Sequence, residues 1–368
     1  MKDPLNFTVI GAGNGGKSMA AYLALKKKRV TLYSRTFSHI EVIAKRGGIE
    51  LENPGGLSGF GELAKVTDNM EEALAEAQVV MVVIPSSGHR DVAKAAAPYL
   101  KDGQIVLLHP GRTGGVIEFK ETLRQQKCKA DVIVAEAETL IYACRSEGPS
   151  QARILRVKEA VPLAALPATR TTEVLEAIRS VYPQYIDGIN VLHTSLNNMG
   201  AVFHPTLAIL NAGRIESTHG DFEFYIDGVT PSVARVLEVI DRERVTVASA
   251  LGIRARTAIE WLELAYNSHG ENLHEAIHNQ TGYYGIKAPG TLQHRYIFED
   301  VPMSLVPIAA LGERYGVSVN GINSIIRLGC FINSTNYWSS GRTLNKLGIK
   351  KLDVSELTRY VEEGVRED

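Results

Sequence analysis

The stretch FTVIGAGNGGKSMAAYLA, residues 7–24, decides the fold. A short β-branched run meets Gly11. Glycines then recur at Gly13 and Gly16 in the G-x-G-x-x-G pattern, and an alanine-rich helical stretch follows. The pattern alone is weak. Its position between a strand and a helix supplies the context that dinucleotide binding requires. Gly11 permits a tight turn, Gly13 lets the backbone approach a pyrophosphate, and Gly16 allows close helix–strand packing. Asn14 and Gly15 lie in the same turn, where their amides can face a phosphate at the helix N-terminus.

Outward from this turn the chain alternates. Residues 29–35 (RVTLYSR) read as a second strand. AQVVMVVIP (77–85) and GQIVLLHPG (103–111) are continuous apolar runs bounded by turn residues, as expected of strands buried on both faces. HRDVAKAAAPYLKD (89–102) between them has helical spacing. ADVIVAEAET (130–139), ARILRVKEAVPLAAL (152–166) and the helix-like TTEVLEAIRSVYP (171–183) continue the alternation. Such a chain predicts a doubly wound, mostly parallel α/β sheet of Rossmann type. Beyond about residue 185 the periodicity becomes helical throughout. The expected organisation is a dinucleotide-binding domain over 1–188 and an all-α substrate and catalytic domain over 189–368.

The strand ending LYSRT bears on the choice of cofactor. An acid at that point would bind the ribose 2′-hydroxyl of NAD, yet none appears before Glu41. Ser34 and Arg35 suit a 2′-phosphate instead, so NADP(H) is expected over NAD(H). Pro85 and Ser86, at the end of the 77–85 run, should border the cofactor. LLHPGRTGG (107–115) offers a second glycine-rich loop for nicotinamide or substrate.

Composition excludes several other classes. The 368 residues are 45% hydrophobic and 22% charged, with 40 lysines and arginines against 41 acids. No basic field exists to attract nucleic acid or an anionic membrane. The longest apolar run is too short to span a bilayer. Three widely spaced cysteines, Cys128, Cys144 and Cys330, argue against a disulfide framework and fit a reducing cytoplasm. The N-terminus runs from a short polar lead into a strand and does not read as a signal peptide.

Chemistry concentrates in the helical half. In NNMGAVFHPTLAILN, read as one helix, Asn197, Gly200 or Ala201, and His204 share a face. Pro205 should kink the helix and re-aim His204, while Gly200 permits close approach of a ligand. A hydrogen-bonded core histidine is the competing reading at this stage. Arg295 and Asp300 precede Pro302, which suits the first turn of a helix. An arginine can clamp a carboxylate, and an aspartate can orient a histidine and stabilise its cation. Glu299, beside them, reads as solvated surface.

GAGNGG, LNNMGAVFHP, FYIDGVTPSVARVLEVIDRER and HRYIFEDVPMSLVP together resemble the octopine/nopaline (opine) dehydrogenase family, over nearly the whole chain. The resemblance implies a Rossmann domain followed by a helical domain with the active site between them. It also implies NAD(P)H-dependent reductive condensation of an amino acid's amine with a 2-keto acid. Its catalytic histidine–aspartate pair falls on His204 and Asp300, and its carboxylate-binding arginine on Arg295. Asn198 is a further candidate for a polar contact to substrate or nicotinamide. The expected partners are these small molecules. The oligomeric state is open, with a homodimer as the assembly considered. Two other readings compete: a keto-acid reductase making a hydroxy acid without amine, and a non-catalytic NADP-binding sensor.

One motif points elsewhere. LHEAIHNQ (273–280) contains His-Glu-x-x-His, the spacing with which one helix face can hold zinc. No convincing third ligand accompanies it, so His274, Glu275 and His278 are expected on a partly exposed helix and no metal is expected.

Overall fold

In the computed structural model, residues 5–366 are described. The chain divides into two compact units, Met1–Thr194 together with Arg359–Asp368, and Ser195–Thr358.

Among the described residues, the first unit contains two sheets. Its strands are β1 (Asn6–Ile10), β2 (Arg29–Tyr33), β3 (Gly48–Glu52), β4 (Gly59–Glu62), β5 (Lys65–Thr67), β6 (Val79–Val82), β7 (Ile105–Leu108), β8 (Ile133–Ala137), β9 (Tyr142–Gly148), β10 (Gln151–Val157), β11 (Val161–Leu166) and β12 (Tyr185–Asp187). The large sheet has the order β12-β11-β8-β7-β6-β1-β2-β5. All its pairs are parallel except β8 with β11. β6 and β7 are buried at every residue, which is why they read as unbroken apolar runs. The chain winds outward from β1 to β2 and β5, then returns to place β6 on the other side of β1. That reversal opens a crevice at the carboxyl ends of β1 and β6, the usual place for a ligand in such sheets.

The second sheet, β4-β3-β10-β9, was not anticipated. β3 pairs in parallel with β10, and its two flanking pairs are antiparallel. The run 152–166, read as part of one alternation, therefore divides. β10 joins the small sheet and β11 the large one, with Lys158 in the link. The small sheet packs on the helix Asn14–Leu25, and Lys17 from that helix donates to Ser146 Oγ at 2.9 Å and the Gly148 carbonyl at 3.0 Å. Sandwiched between two sheets, the helix buries Lys17, Ser18, Met19, Ala20 and Ala21 in succession. Its small residues follow from that position, because backbone must approach on both sides. Residues 359–366 belong to this unit too, where Arg366 Nη1 reaches Glu121 Oε2 at 2.9 Å.

The second unit is helical. Gly200–Leu210 packs against Pro231–Ala250, Asn320–Ile332 and the short helix Arg295–Phe298. Thr230 caps the longest of these and Pro231 occupies its first turn. Inside the unit, Arg244 is ion-paired to Asp241 at 2.7 Å. Its guanidinium also donates to the carbonyls of Leu196 and Arg256. Among the described residues, no helix is long and apolar enough to cross a membrane.

Candidate functional site

The glycine turn can be tested by asking what a β-carbon would meet at each position. At Gly11, with φ +117°, it would lie 2.3 Å from the Val83 carbonyl oxygen, just past the end of β6. At Gly16 it would lie 1.8 Å from the Gly11 carbonyl oxygen. Neither distance is possible for carbon against oxygen, so both glycines are demanded by packing. At Gly13 an added β-carbon would meet nothing within 4 Å among the described residues beyond its own neighbours in the chain. A side chain there would enter open space at the start of the Asn14–Leu25 helix, which no side chain caps. Open space at an uncapped helix N-terminus fits a phosphate. Gly15 faces Val83 and Leu140 side chains instead, at 2.9 and 3.1 Å. Asn14 turns its Oδ1 to accept the Ser146 N–H at 3.0 Å and so ties the turn to β9.

The other cofactor candidates lie at strand ends. Arg35 is exposed after β2, and Ser34 is buried with its hydroxyl donating to the Thr36 carbonyl at 3.2 Å. Tyr33 is paired in register with Thr67. The nearest acid, Asp68, therefore follows the neighbouring strand, β5, and not β2. Pro85 is exposed, and Ser86 is buried in the turn Ser86–Gly88. Beneath the second glycine-rich loop, buried Glu136 accepts the Val116 N–H at 3.0 Å and the Thr194 hydroxyl at 2.7 Å. A β-carbon on Gly111 would collide with its carboxylate at 2.1 Å. Lys158 was missed by the sequence reading. Its ammonium donates to Thr139 Oγ1 and to the Leu140 carbonyl, both at 2.7 Å, bracing the corner whose leucine touches the Gly15 position. Burial depresses its pKa to about 8, with Glu138 opposing the shift and Arg112 adding to it.

In the helical unit, the structure brings together residues far apart in sequence. His204 Nδ1 lies 2.9 Å from Asp300 Oδ2, and the aspartate side chain is wholly buried. The His204 ring stacks on Tyr296 with centroids 4.2 Å apart, and Phe224 stacks on Tyr296 at 5.3 Å. The aspartate fixes which nitrogen is held, while the tyrosine fixes the plane of the ring. The Gly200–Leu210 helix continues through Pro205. Asp300 directly precedes a π-helical turn, Val301–Leu305, which contains Pro302 and leads into Val306–Arg314. Single π-turns of this kind often mark functional sites.

Three expectations for this region need correcting. Asn197 does not share a helical face with His204. It lies in the break between Val191–Leu196 and Gly200–Leu210, where its Oδ1 accepts the Arg256 N–H at 2.9 Å. Gly200 opens the second helix and does not interrupt one; Asn198 Oδ1 accepts its N–H at 3.1 Å. Glu299 is not solvated surface. It is wholly buried and its Oε2 sits 2.8 Å from Arg295 Nη2. The geometric reason is the four-residue spacing on a helical turn, which brings the half-exposed arginine over the acid.

The His-Glu-x-x-His motif spends its polar groups locally. His278 sets its two ring nitrogens against the carbonyls of His274 and Ile226, at 2.8 and 3.0 Å. Glu275 accepts the Glu271 N–H at 2.9 Å. Among the described residues, no group of three histidine, cysteine or acidic side chains could hold a metal.

Comparison with known proteins bears on both units. Residues 6–153 match the N-terminus of NAD-dependent glycerol-3-phosphate dehydrogenase, and residues 188–333 match the alpha-helical domain of NAD/NADP octopine/nopaline dehydrogenase. The chain is 37% identical to the opine dehydrogenase of Arthrobacter sp. (strain 1C), over 98% of this chain and 100% of that one. It is 26% identical to protein ocs of Agrobacterium tumefaciens (strain Ach5), over 95% of this chain and 97% of that one. Among solved structures, octopine dehydrogenase with NADH and L-arginine aligns with TM-score 0.83 at 18% identity, over 99% of both chains. Yersinopine dehydrogenase bound to NADP+ aligns with TM-score 0.77 at 16% identity, over 99% of both. At those identities the structural likeness establishes the fold. The class is therefore the NAD(P)-dependent oxidoreductases that act on the CH–NH group of donors. Within it, the chain belongs to the octopine/nopaline, or opine, dehydrogenase family, whose members reductively condense an amino acid's amine with a 2-keto acid.

Proposed function

We propose that residues 1–188 bind NADP(H) in preference to NAD(H), and that residues 189–368 carry the acid–base chemistry of opine formation through His204, Asp300 and Arg295. The observation that carries this reading is the His204–Asp300 pair at 2.9 Å, with the aspartate fully buried. A carboxylate so placed orients the ring, and it stabilises the imidazolium that forms whenever His204 takes a proton.

The reaction balances in two stages. The amino acid's amine attacks the keto carbon, and loss of water gives an imine. Addition of a hydride and a proton then gives a secondary amine dicarboxylate. The hydride would come from the nicotinamide when that cofactor is bound. His204, with Nδ1 held by Asp300, presents Nε2 for the proton leaving the amine and for the proton needed to expel water. Arg295 is half-exposed beyond its contact with Glu299 and retains N–H donors for the keto-acid carboxylate. Asn198 supports the region through its cap on Gly200, with a substrate contact as a secondary role.

For the nucleotide, Gly11, Gly13, Asn14, Gly15 and Gly16 would cradle the pyrophosphate, with Pro85 and Ser86 at its border. Ser34 and Arg35 would meet the adenosine ribose. Arg35 has no hydrogen-bond or ion-pair partner among the described residues, so its guanidinium is available to a 2′-phosphate. Asp68, just past the adjacent strand β5, is the group that would oppose that preference. A keto-acid reductase acting without amine needs the same arginine and histidine, and a sensor protein would have no use for an intact pair. The deciding experiment is NADPH and NADH consumption across a matrix of amino acids and keto acids. Oxidation that requires both substrates is expected. Keto-acid reduction without amine would overturn the reading.

A further inference from the structure

We propose that His294 is a substrate-binding residue, its Nε2–H donating as a neutral group to a carboxylate or carbonyl oxygen of the 2-keto acid. The inference rests on the site assignment above and deepens it. His294 adjoins Arg295 in sequence, and its ring meets Tyr296 edge-on with centroids 4.4 Å apart. That is the tyrosine on which His204 stacks. Both imidazoles are thus set against one phenol ring, in different orientations and from different segments of the chain.

The tautomer follows from a backbone contact. The Tyr296 N–H donates to His294 Nδ1 at 3.4 Å, so Nδ1 must be the acceptor and the proton of the neutral ring lies on Nε2. His294 Nε2 has no acceptor among the described residues. An N–H open to solvent on a half-buried ring, beside a histidine–aspartate pair and an arginine, is a donor that a substrate oxygen can meet.

The charges around the ring favour the same state. Burial lowers its proton affinity most, followed by Arg295 and His204, while Asp300 and Glu299 act in the opposite direction. Protonation would also place a second N–H against that of Tyr296. The ring is therefore held neutral. Neutrality matters because a second cation here would oppose protonation of His204, whereas a neutral donor adds a hydrogen bond without that repulsion. A second donor is useful because Arg295 already spends part of its guanidinium on Glu299, at 2.8 Å. A substrate carboxylate, with about four lone-pair sites, can accept from both.

The test compares three variants of the whole protein. His294→Phe keeps an aromatic ring and removes the donor. His294→Gln restores an amide N–H near the Nε2 position. His294→Ser can cap the Tyr296 N–H but cannot reach further. Pyruvate is the varied keto acid in steady-state assays, and oxalate serves as an unreactive probe in calorimetry. The Phe variant should raise the pyruvate KM and weaken oxalate at least tenfold, with kcat within a few-fold and cofactor affinity unchanged. The Gln variant should recover most of the loss, and the Ser variant should recover none while keeping the wild-type melting temperature. Recovery by Ser would make His294 a helix cap only and overturn the proposal, as would an unchanged KM in Phe. If wild type lacks amine-dependent turnover with any keto acid, the opine reading fails by itself. The oxalate arm then still decides on His294: equal binding by wild type and Phe, or none by wild type, overturns it.

Discussion

The two units build their proposed sites from different material. In the sheet unit the site is backbone: a turn whose glycines are set by a carbonyl 2.3 Å from one absent β-carbon and another 1.8 Å from a second. In the helical unit it is side chains, a histidine held by an aspartate from a distant helix and flattened against a tyrosine. A backbone site should be insensitive to most side-chain changes and intolerant of any added atom at Gly11 or Gly16. A side-chain site should fail when one functional group is lost, while the fold survives.

The largest expected effect tests the side-chain half. His204→Ala should lower turnover by roughly 10²–10⁴ with nucleotide binding intact, and Asp300→Asn should be comparably damaging. The double variant should be little worse than the worse single one, because the two residues act as a unit. Kinetics with separate cofactor titration check this, and near-normal turnover in His204→Ala would return that histidine to the core.

The next pair tests the backbone half. Gly16→Ala should destabilise by about 3 kcal/mol or more, since a β-carbon there overlaps a carbonyl oxygen. Gly13→Ala should leave the denaturation midpoint unchanged or slightly raised, because the space is open and the φ of −79° is ordinary. It should nevertheless weaken the nucleotide about tenfold, roughly 1.4 kcal/mol. Equal loss of stability in the two variants would dissolve the distinction between a packing glycine and a ligand glycine.

Arg35→Ala should cost NADPH affinity by about 1.5–3 kcal/mol and leave NADH nearly unchanged. Fluorescence titration of both cofactors measures the split. Tighter NADH binding by the wild type would remove the preference.

The smallest effect concerns Lys158. Its folded pKa, about 8, lies below the ordinary 10.5, so the unfolded chain binds more protons between those values. Its contribution to stability is lost as pH falls through 8 and is regained as pH rises toward 10.5. Each unit of pH within the window is worth at most about 1.4 kcal/mol. The buried Tyr182 and Tyr185, both with raised pKa, oppose this once unfolded tyrosines ionise near pH 10. Urea midpoints at pH 7.5, 8.5 and 9.5 should rise in the wild type and flatten in Lys158→Met.

The same contrast explains what could be read from sequence. The glycine turn was legible because its packing constraints are local: Gly16 answers to the carbonyl of Gly11 five residues back, and Gly11 to that of Val83 just past the adjoining strand. His204 was visible as an unusual residue before a proline, but its tie to Asp300 came from resemblance, since no local pattern links residues so far apart. The small sheet was hidden because β3 finds its partner in β10, a pairing no periodicity encodes. Glu299 was misread because an acid in a charged segment usually meets water, and only the packed turn shows it enclosed over Arg295. Tyr296 and His294 lay in a quoted stretch and were passed over. An aromatic ring on either side of Arg295, His294 before it and Tyr296 after it, was the available signal.

The return of residues 359–366 to the first unit orders events in time. Domains generally begin to fold as they leave the ribosome, N-terminal part first. Glu121 is then in place early, with a carboxylate only 3% exposed in the folded protein, yet Arg366, which reaches it, follows the whole helical unit in the chain. A nascent chain has made the whole helical unit before its nucleotide-binding unit can close that contact. The unit that starts first therefore closes only after the second has been made.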